Sequence, residues 1–273
     1  LKKFLLFISL LPFFLFATIS QTKAAEKLTL QLRWHHGFQF AGFYMAKEKV
    51  FFENENLNVS FIEGGAGINH FDQVSRGKAD FGVAGSALVI EYLKLRPFKS
   101  IAAIFQHSPY ALMVRESSGY TNPQQLMGKR IYMALTPRTA EVQAMFINEG
   151  VPIDKIIPVD PLKVKEHFMD HKIDAFSVYI TNEPFLAEQA GIHTQLIKPI
   201  NYGIDFYGDC LFARSDYIQK NAETVEKFRQ ASFKGWSYAF DHPEETIDIV
   251  FDKYNTDNRT KEHLSFEYEK MRE

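Results

Sequence analysis

The side chains here that could do chemistry fall into three groups, and all three suit gripping a small molecule. Trp34, Phe40, Tyr179, Phe206 and Tyr207 are the aromatic candidates, because offset or edge contacts between rings contribute about 0.5–1.5 kcal/mol beyond area burial. Glu183, Asp205 and Asp209 are carboxylates that could accept two parallel hydrogen bonds from a donor-bearing edge. Gln39, Ser86, Gln106 and Asn182 are the uncharged polar candidates. Ser86 stands at an expected helix N-terminus and would also suit an anion, and Thr136 and Arg138 keep that option open further along. Plainer roles compete: Phe40 as helix core, Ser86 as an N-cap, Glu183 as a dipole-stabilising residue after the cap Asn182.

Reaction chemistry finds no comparable constellation. His35 and His36 are adjacent, so they cannot share a helical face, and there is no H-E-x-x-H, G-x-S-x-G or P-loop pattern. His107 neighbours Gln106, whereas His167, His171, His193, His242 and His263 read as surface or loop residues. The one cysteine, Cys210, excludes an internal disulfide and a cysteine-based metal cluster. Net charge is −2 with no basic run, which argues against nucleic acid as a partner. No metal and no cofactor is expected.

Those candidates need elements to position them. Leu28, Leu30 and Leu32 alternate with polar residues as a half-buried strand does. Ala41, Tyr44 and Met45 then fall at helical spacing, and Leu57, Val59 and Phe61 alternate again. Trp34, Gln39 and Phe40 therefore sit between a strand's carboxyl end and a helix's amino end, the crevice where open α/β sheets bind ligands. A helix over Ile68–Gly77, a strand over Asp80–Gly85 and a helix capped by Ser86 follow, then strands over Lys99–Gln106 and Tyr110–Arg115.

Near Ser117 the rhythm restarts. A strand from Gly128, a helix ending at Gly150 and a strand over Ile156–Val159 are expected, then a helix over Pro161–Asp170 and a strand over Ile173–Tyr179. A helix after Asn182 and a strand over Thr194–Ile197 complete the block. Strands alternating with helices, without hairpin turns, imply βαβ units around largely parallel sheets. From Cys210 the chain reads as helical over Asp216–Asp241, Pro243–Tyr254 and Lys261 onward, packing around the first lobe. It stops at Glu273 inside an apparent helix without a cap, so either the end frays or the natural polypeptide continues.

Lys2-Lys3, the apolar run Phe4–Ile19 and the small pair Ala24-Ala25 form a secretory signal pattern. The run is shorter than the ~20 residues a membrane span needs. An exported, periplasmic protein is expected.

The order of several blocks carries a family likeness: Trp34 followed by QFAGFY, GKADFGV (Gly77–Val83), IFQHSP (Ile104–Pro109), YGIDFYGD (Tyr202–Asp209) and GWSYAFDHPEE (Gly235–Glu245). The chain resembles the thiamine-pyrimidine-type substrate-binding proteins. These are a branch of the type II periplasmic binding proteins, related to the sulfonate- and taurine-binding proteins of ABC importers. The resemblance implies a two-lobed α/β fold, each lobe a mostly parallel sheet flanked by helices. Residues 1–25 would be the signal, 26–108 the first part of lobe 1, 109–203 lobe 2, and 204–273 the return to lobe 1.

It also implies a small heteroaromatic ligand, best a thiamine pyrimidine precursor, whose ring nitrogen and amino group Asp205 would meet, with Asp209 as second choice. Trp34, Phe40, Tyr179 and Tyr207 would stack, and Gln39, Ser86, Gln106, Asn182 and Glu183 would complete the site. Hinge closure, with crossings near Gln106–Pro109 and Ile200–Asp205, would be read by an ABC permease or by a fused signalling module. The membrane would be reached only through such a partner, an uncleaved signal or a C-terminal extension. Alternatives implied by the same likeness are the sensor domain of a histidine kinase or diguanylate cyclase, a sulfonate-type anion binder, and the self-consuming pyrimidine synthase with pyridoxal phosphate. The synthase is disfavoured: no histidine lies in Ala84–Leu88, and Gly203–Gly208 contains no cysteine where its iron-site motif falls.

Overall fold

The computed structural model describes residues 24–158 and 164–273. The expected leader, residues 1–23, lies outside the described residues, as do Val159 of one expected strand and Pro161, Leu162 and Lys163 of the helix after it. Among the described residues no helix is long and apolar enough to cross a membrane.

The first block runs β1 (Glu26–Gln31), α1 (Ala41–Glu48), β2 (Leu57–Ile62), α2 (His70–Ser75), β3 (Phe81–Ala84), α3 (Ala87–Leu93) and β4 (Phe98–Ala103). The second runs β5 (Tyr110–Arg115), β6 (Arg130–Tyr132), α4 (Ala140–Asn148), β7 (Ile157–Pro158), α5 (Val164–Met169), β8 (Ala175–Tyr179), α6 (Glu183–Gln189) and β9 (Thr194–Ile197). β10 (Cys210–Arg214) follows, then α7 (Ser215–Lys220), α8 (Ala222–Asp241), α9 (Pro243–Tyr254) and α10 (Lys261–Arg272).

Among the described residues the strands form two five-stranded sheets, ordered β2-β1-β3-β10-β4 and β7-β6-β8-β5-β9. Four strands of each run one way; β10 opposes its neighbours β3 and β4, and β5 opposes β8 and β9. The sheets are thus largely parallel, as expected, with one opposed strand in each. Each opposed strand is entered directly from a segment that crosses between the sheets, so no helical crossover forces it parallel.

The crossing segments lie side by side. Ile104 N and Phe105 N donate to Asp209 O at 2.7 and 3.2 Å, and Gly208 N donates to Phe105 O at 3.1 Å.

The larger core packs β1–β3 and β10 against α1, α8, α9 and α10, with Phe43, Tyr44, Phe228 and Leu264 fully buried. A separate core joins Leu112, Ile131, Val142, Phe146 and Ala175 in the second sheet. α1 and α8 approach so closely that a Cβ on Gly235 would lie 2.0 Å from Gly42 O.

Local readings also change. The helix expected over Asp216–Asp241 breaks at Asn221 into α7 and α8. Ser86 precedes α3 but makes no side-chain cap, and neither does Asn182 before α6. His263, read as a surface residue, is buried on α10 and stacks on Phe185 with centroids 4.5 Å apart.

Candidate functional site

β1 ends at Gln31, and the chain carries Leu32, Arg33 and Trp34 out of the sheet toward the second lobe. Arg33 is buried beside Asp209, and its Nη1 donates to Asp209 Oδ1 at 2.7 Å. Nη2 donates to the Tyr110 hydroxyl at 3.2 Å, and the guanidinium carbon lies 5.5 Å from the Tyr179 ring centre. Asp209 in turn accepts from Tyr179 OH at 2.8 Å and from Gln39 Nε2 at 2.7 Å. Burial opposes the charge on Arg33, but Tyr179, Tyr110 and Asp209 outweigh it and hold the guanidinium well above its ordinary value. Burial, reinforced by Asp209, pushes the Tyr179 phenol well up, so it remains a donor.

Gln39 is aimed by α10. Glu267 on that helix accepts from Phe38 N at 2.6 Å and Gln39 N at 3.3 Å, satisfying backbone donors at the start of the turn that leads into α1. Glu267 also pairs with buried Arg259. Opposite, the first turn of α6 supplies Glu183, whose Oε2 accepts from Tyr179 N at 2.8 Å and whose Oε1 accepts from Asn182 Nδ2 at 2.9 Å. Arg138, in the connection between β6 and α4, lies with its guanidinium carbon 5.1 Å from the Trp34 ring centre.

These groups enclose a hollow of about 220 Å³ between the two sheets. Trp34, Arg33 and Gln39 line it from the first lobe, Tyr110, Tyr132, Arg138, Ser177, Tyr179, Asn182 and Glu183 from the second, and Arg259 from the C-terminal helices. A dry cavity of roughly 150 Å³ takes a benzene. This one therefore suits a single six-membered ring with substituents. Among the described residues no cluster of histidine, cysteine, aspartate and glutamate could hold a metal ion.

The sequence candidates divide. Trp34, Gln39, Tyr179, Asn182 and Glu183 line the hollow, and Asp209 lies buried directly behind it, committed to Arg33, Gln39 and Tyr179. Asp205 does not join them: it sits exposed on the crossing segment, 2.9 Å from His107 Nδ1. Gln106, Phe206 and Tyr207 are exposed on the same crossings, and Phe40 is wholly buried in the lobe-1 core. Ser86 faces the other lobe, donating to Glu141 Oε1 at 2.5 Å.

Sequence reasoning passed over Arg33, Tyr110, Tyr132 and Arg259. Arg33 follows the polar face of β1, and the strand pattern assigned that face to solvent. β1 is internal, and its polar face is covered at the carboxyl end, so Gln31 and Arg33 are both buried while Lys27 stays exposed. The available signal was the charged residue at the end of a central strand.

Comparison with known proteins is consistent across sequence and structure. A family model described as NMT1/THI5 like matches residues 37–246. The formylaminopyrimidine-binding protein of Halalkalibacterium halodurans is 21% identical over 265 residues, covering 93% of this chain and 80% of that protein. The 4-amino-5-hydroxymethyl-2-methylpyrimidine phosphate synthase of Candida albicans is 24% identical over 237 residues, covering 81% of this chain and 70% of the enzyme. Among solved structures, the periplasmic aliphatic sulphonate binding protein SsuA from Escherichia coli superposes with a TM-score of 0.72 at 15% identity, covering 90% of this chain and 83% of SsuA. The fold is that of the type II periplasmic binding proteins.

Proposed function

The chain belongs to the NMT1/THI5-like family, and from that premise we propose that it is an extracytoplasmic solute-binding protein for a small substituted heteroaromatic ring, a thiamine pyrimidine precursor first among them. The observation that carries this is the hollow between the lobes: one ring in size, walled by Trp34, Tyr110, Tyr132 and Tyr179, with Glu183 as its lining carboxylate. An aminopyrimidine protonated at the ring nitrogen presents two parallel N–H donors, one from the ring and one from the amino group, and Glu183 is the lining acid that would accept them. Glu183 takes the role first assigned to Asp205. The pyrimidine-binding relative from Halalkalibacterium halodurans supports the ligand class. The proposed output is delivery to an ABC permease, with a fused signalling module as the alternative reader of closure.

Binding would couple to closure, because the hollow's walls come from both lobes and a ligand touching both stabilises the shut state. Titration calorimetry of ligand-stripped protein against pyrimidines, sulfonates and amino acids tests the proposal. An aminopyrimidine should bind most tightly; selective binding of a simple alkanesulfonate would replace it with the anion-binding reading.

The Candida albicans relative favours a second reading, the pyrimidine synthase. That chemistry needs a lysine to hold pyridoxal phosphate as a Schiff base, and no lysine lines the hollow among the described residues. Burial pushes the Cys210 thiol up to about 11, which leaves it unreactive. The residues present do not fit the cofactor. A saturable shift of pyridoxal phosphate's own absorbance band to that of a Schiff base, on mixing with purified protein at one equivalent, would restore the enzyme reading.

A further inference from the structure

The hollow holds three arginines, and their partners differ. Arg33 is paired with Asp209, and Arg259 with Glu267. Arg138 has no carboxylate within ion-pair distance among the described residues; it rests half-buried against the Trp34 ring. Glu183, the lining acid, is already engaged by Tyr179 N and Asn182 Nδ2 at the start of α6. The charge of Arg138 is felt at the lining phenols of Tyr110 and Tyr132, where it opposes the upward push of burial. A half-buried cation with aromatic support and no counter-charge lacks something that a ligand can supply.

We infer that the ligand is an acidic heteroaromatic, whose carboxylate or phosphate arm lies against Arg138 while its ring edge meets Glu183 and Asn182. Arg138 is then the residue that separates acidic from neutral rings. This inference rests on the heteroaromatic reading of the same hollow, and it unites that reading with anion binding: one pocket grips a ring at Glu183 and an acid at Arg138.

The test is calorimetry with three probes sharing one aminopyrimidine ring: a hydroxymethyl arm, a carboxymethyl arm, and the phosphate monoester of the first. Wild-type protein should bind at least one acidic member about 10-fold or more tighter than the neutral alcohol, as charge-assisted hydrogen bonds require. Which acid gains identifies the arm. In Arg138→Gln the ratio of acidic to neutral affinity should fall to about one, whereas Arg138→Lys should retain much of it. Equal affinity for all three probes in wild-type protein overturns the inference and leaves the heteroaromatic reading standing. An undiminished ratio in Arg138→Gln also overturns it, reducing Arg138 to support for Trp34. Binding of none of the three removes both readings together.

Discussion

Both ring nitrogens of His70 are buried without a hydrogen-bond partner among the described residues, beside Phe71 at 4.3 Å between centroids. Burial, followed by the charges of Arg33 and Arg138, lowers its pKa to about 3. In the unfolded chain a histidine titrates near ~6.5. Between those values the unfolded state takes up a proton that the native state refuses, so stability is intact above pH ~6.5 and declines as pH falls, until about pH 3. The decline should amount to about 1.4 kcal/mol per pH unit from this residue. Urea midpoints at pH 7, 6 and 5 should show it, and His70→Leu should flatten that slope; an equal slope in the variant would assign the acid lability to other groups. The carboxylates separate just as clearly. Asp205 forms an exposed pair with His107, and such pairs contribute about 0–1 kcal/mol. Asp205→Ala should therefore leave aminopyrimidine affinity within about 2-fold, whereas Glu183→Gln should weaken it by about 10-fold or more through the loss of a charged acceptor. Calorimetry on the two variants side by side decides between these acids.

α1 and α8 form the tightest helix contact around the first sheet. A Cβ on Gly42 would fall 2.1 Å from Trp236, and one on Gly235 would fall 2.6 Å from Ala46 N as well as 2.0 Å from Gly42 O. Backbone cannot yield as a flexible side chain does, so the helices would have to separate. Alanine gains about 1 kcal/mol over glycine in helix propensity, but overpacking here should outweigh it. Gly235→Ala should destabilise by about 1–3 kcal/mol, seen as a lower urea midpoint with an unchanged slope. A neutral or stabilised variant would mean that the contact is looser than described. This contact matters to the site because α1 begins just after Gln39, and α10 clamps the same turn through Glu267.

The two lobes are joined by more than the crossing segments. Glu141 on α4 is buried and accepts from Ser86 Oγ at 2.5 Å and Ser108 Oγ at 3.0 Å. Gln39 and Arg33 reach Tyr179 and Tyr110 across the same cleft. A hydrogen bond to a charged group contributes about 1.5–3 kcal/mol, enough to shift an open–shut equilibrium by roughly 10-fold or more. Glu141→Ala should thus open the ligand-free protein, raising its radius of gyration in small-angle scattering, and a saturating ligand should restore the wild-type value. An unchanged radius would show that the remaining contacts alone keep the lobes together.

Much of this molecule was legible before any coordinates. The alternation of Leu28, Leu30 and Leu32 marked β1, the expected strand Tyr110–Arg115 matches β5 and the expected helix Pro243–Tyr254 matches α9. Local periodicity reports which face of an element is apolar, and apolar faces become cores. Trp34, Tyr179 and Glu183 could also be picked out, because the ends of strands and the starts of helices converge in α/β folds. The partners of charged groups could not. Asp205 and Asp209 stand four residues apart in the same stretch, yet one lies in solvent on a crossing segment and the other is buried against Arg33, 176 residues away in the chain. Periodicity is blind to contacts at that separation, so only the packing of the two lobes decided which acid lines the hollow, which is buried behind it, and which arginine stands there against a ring without a carboxylate partner among the described residues.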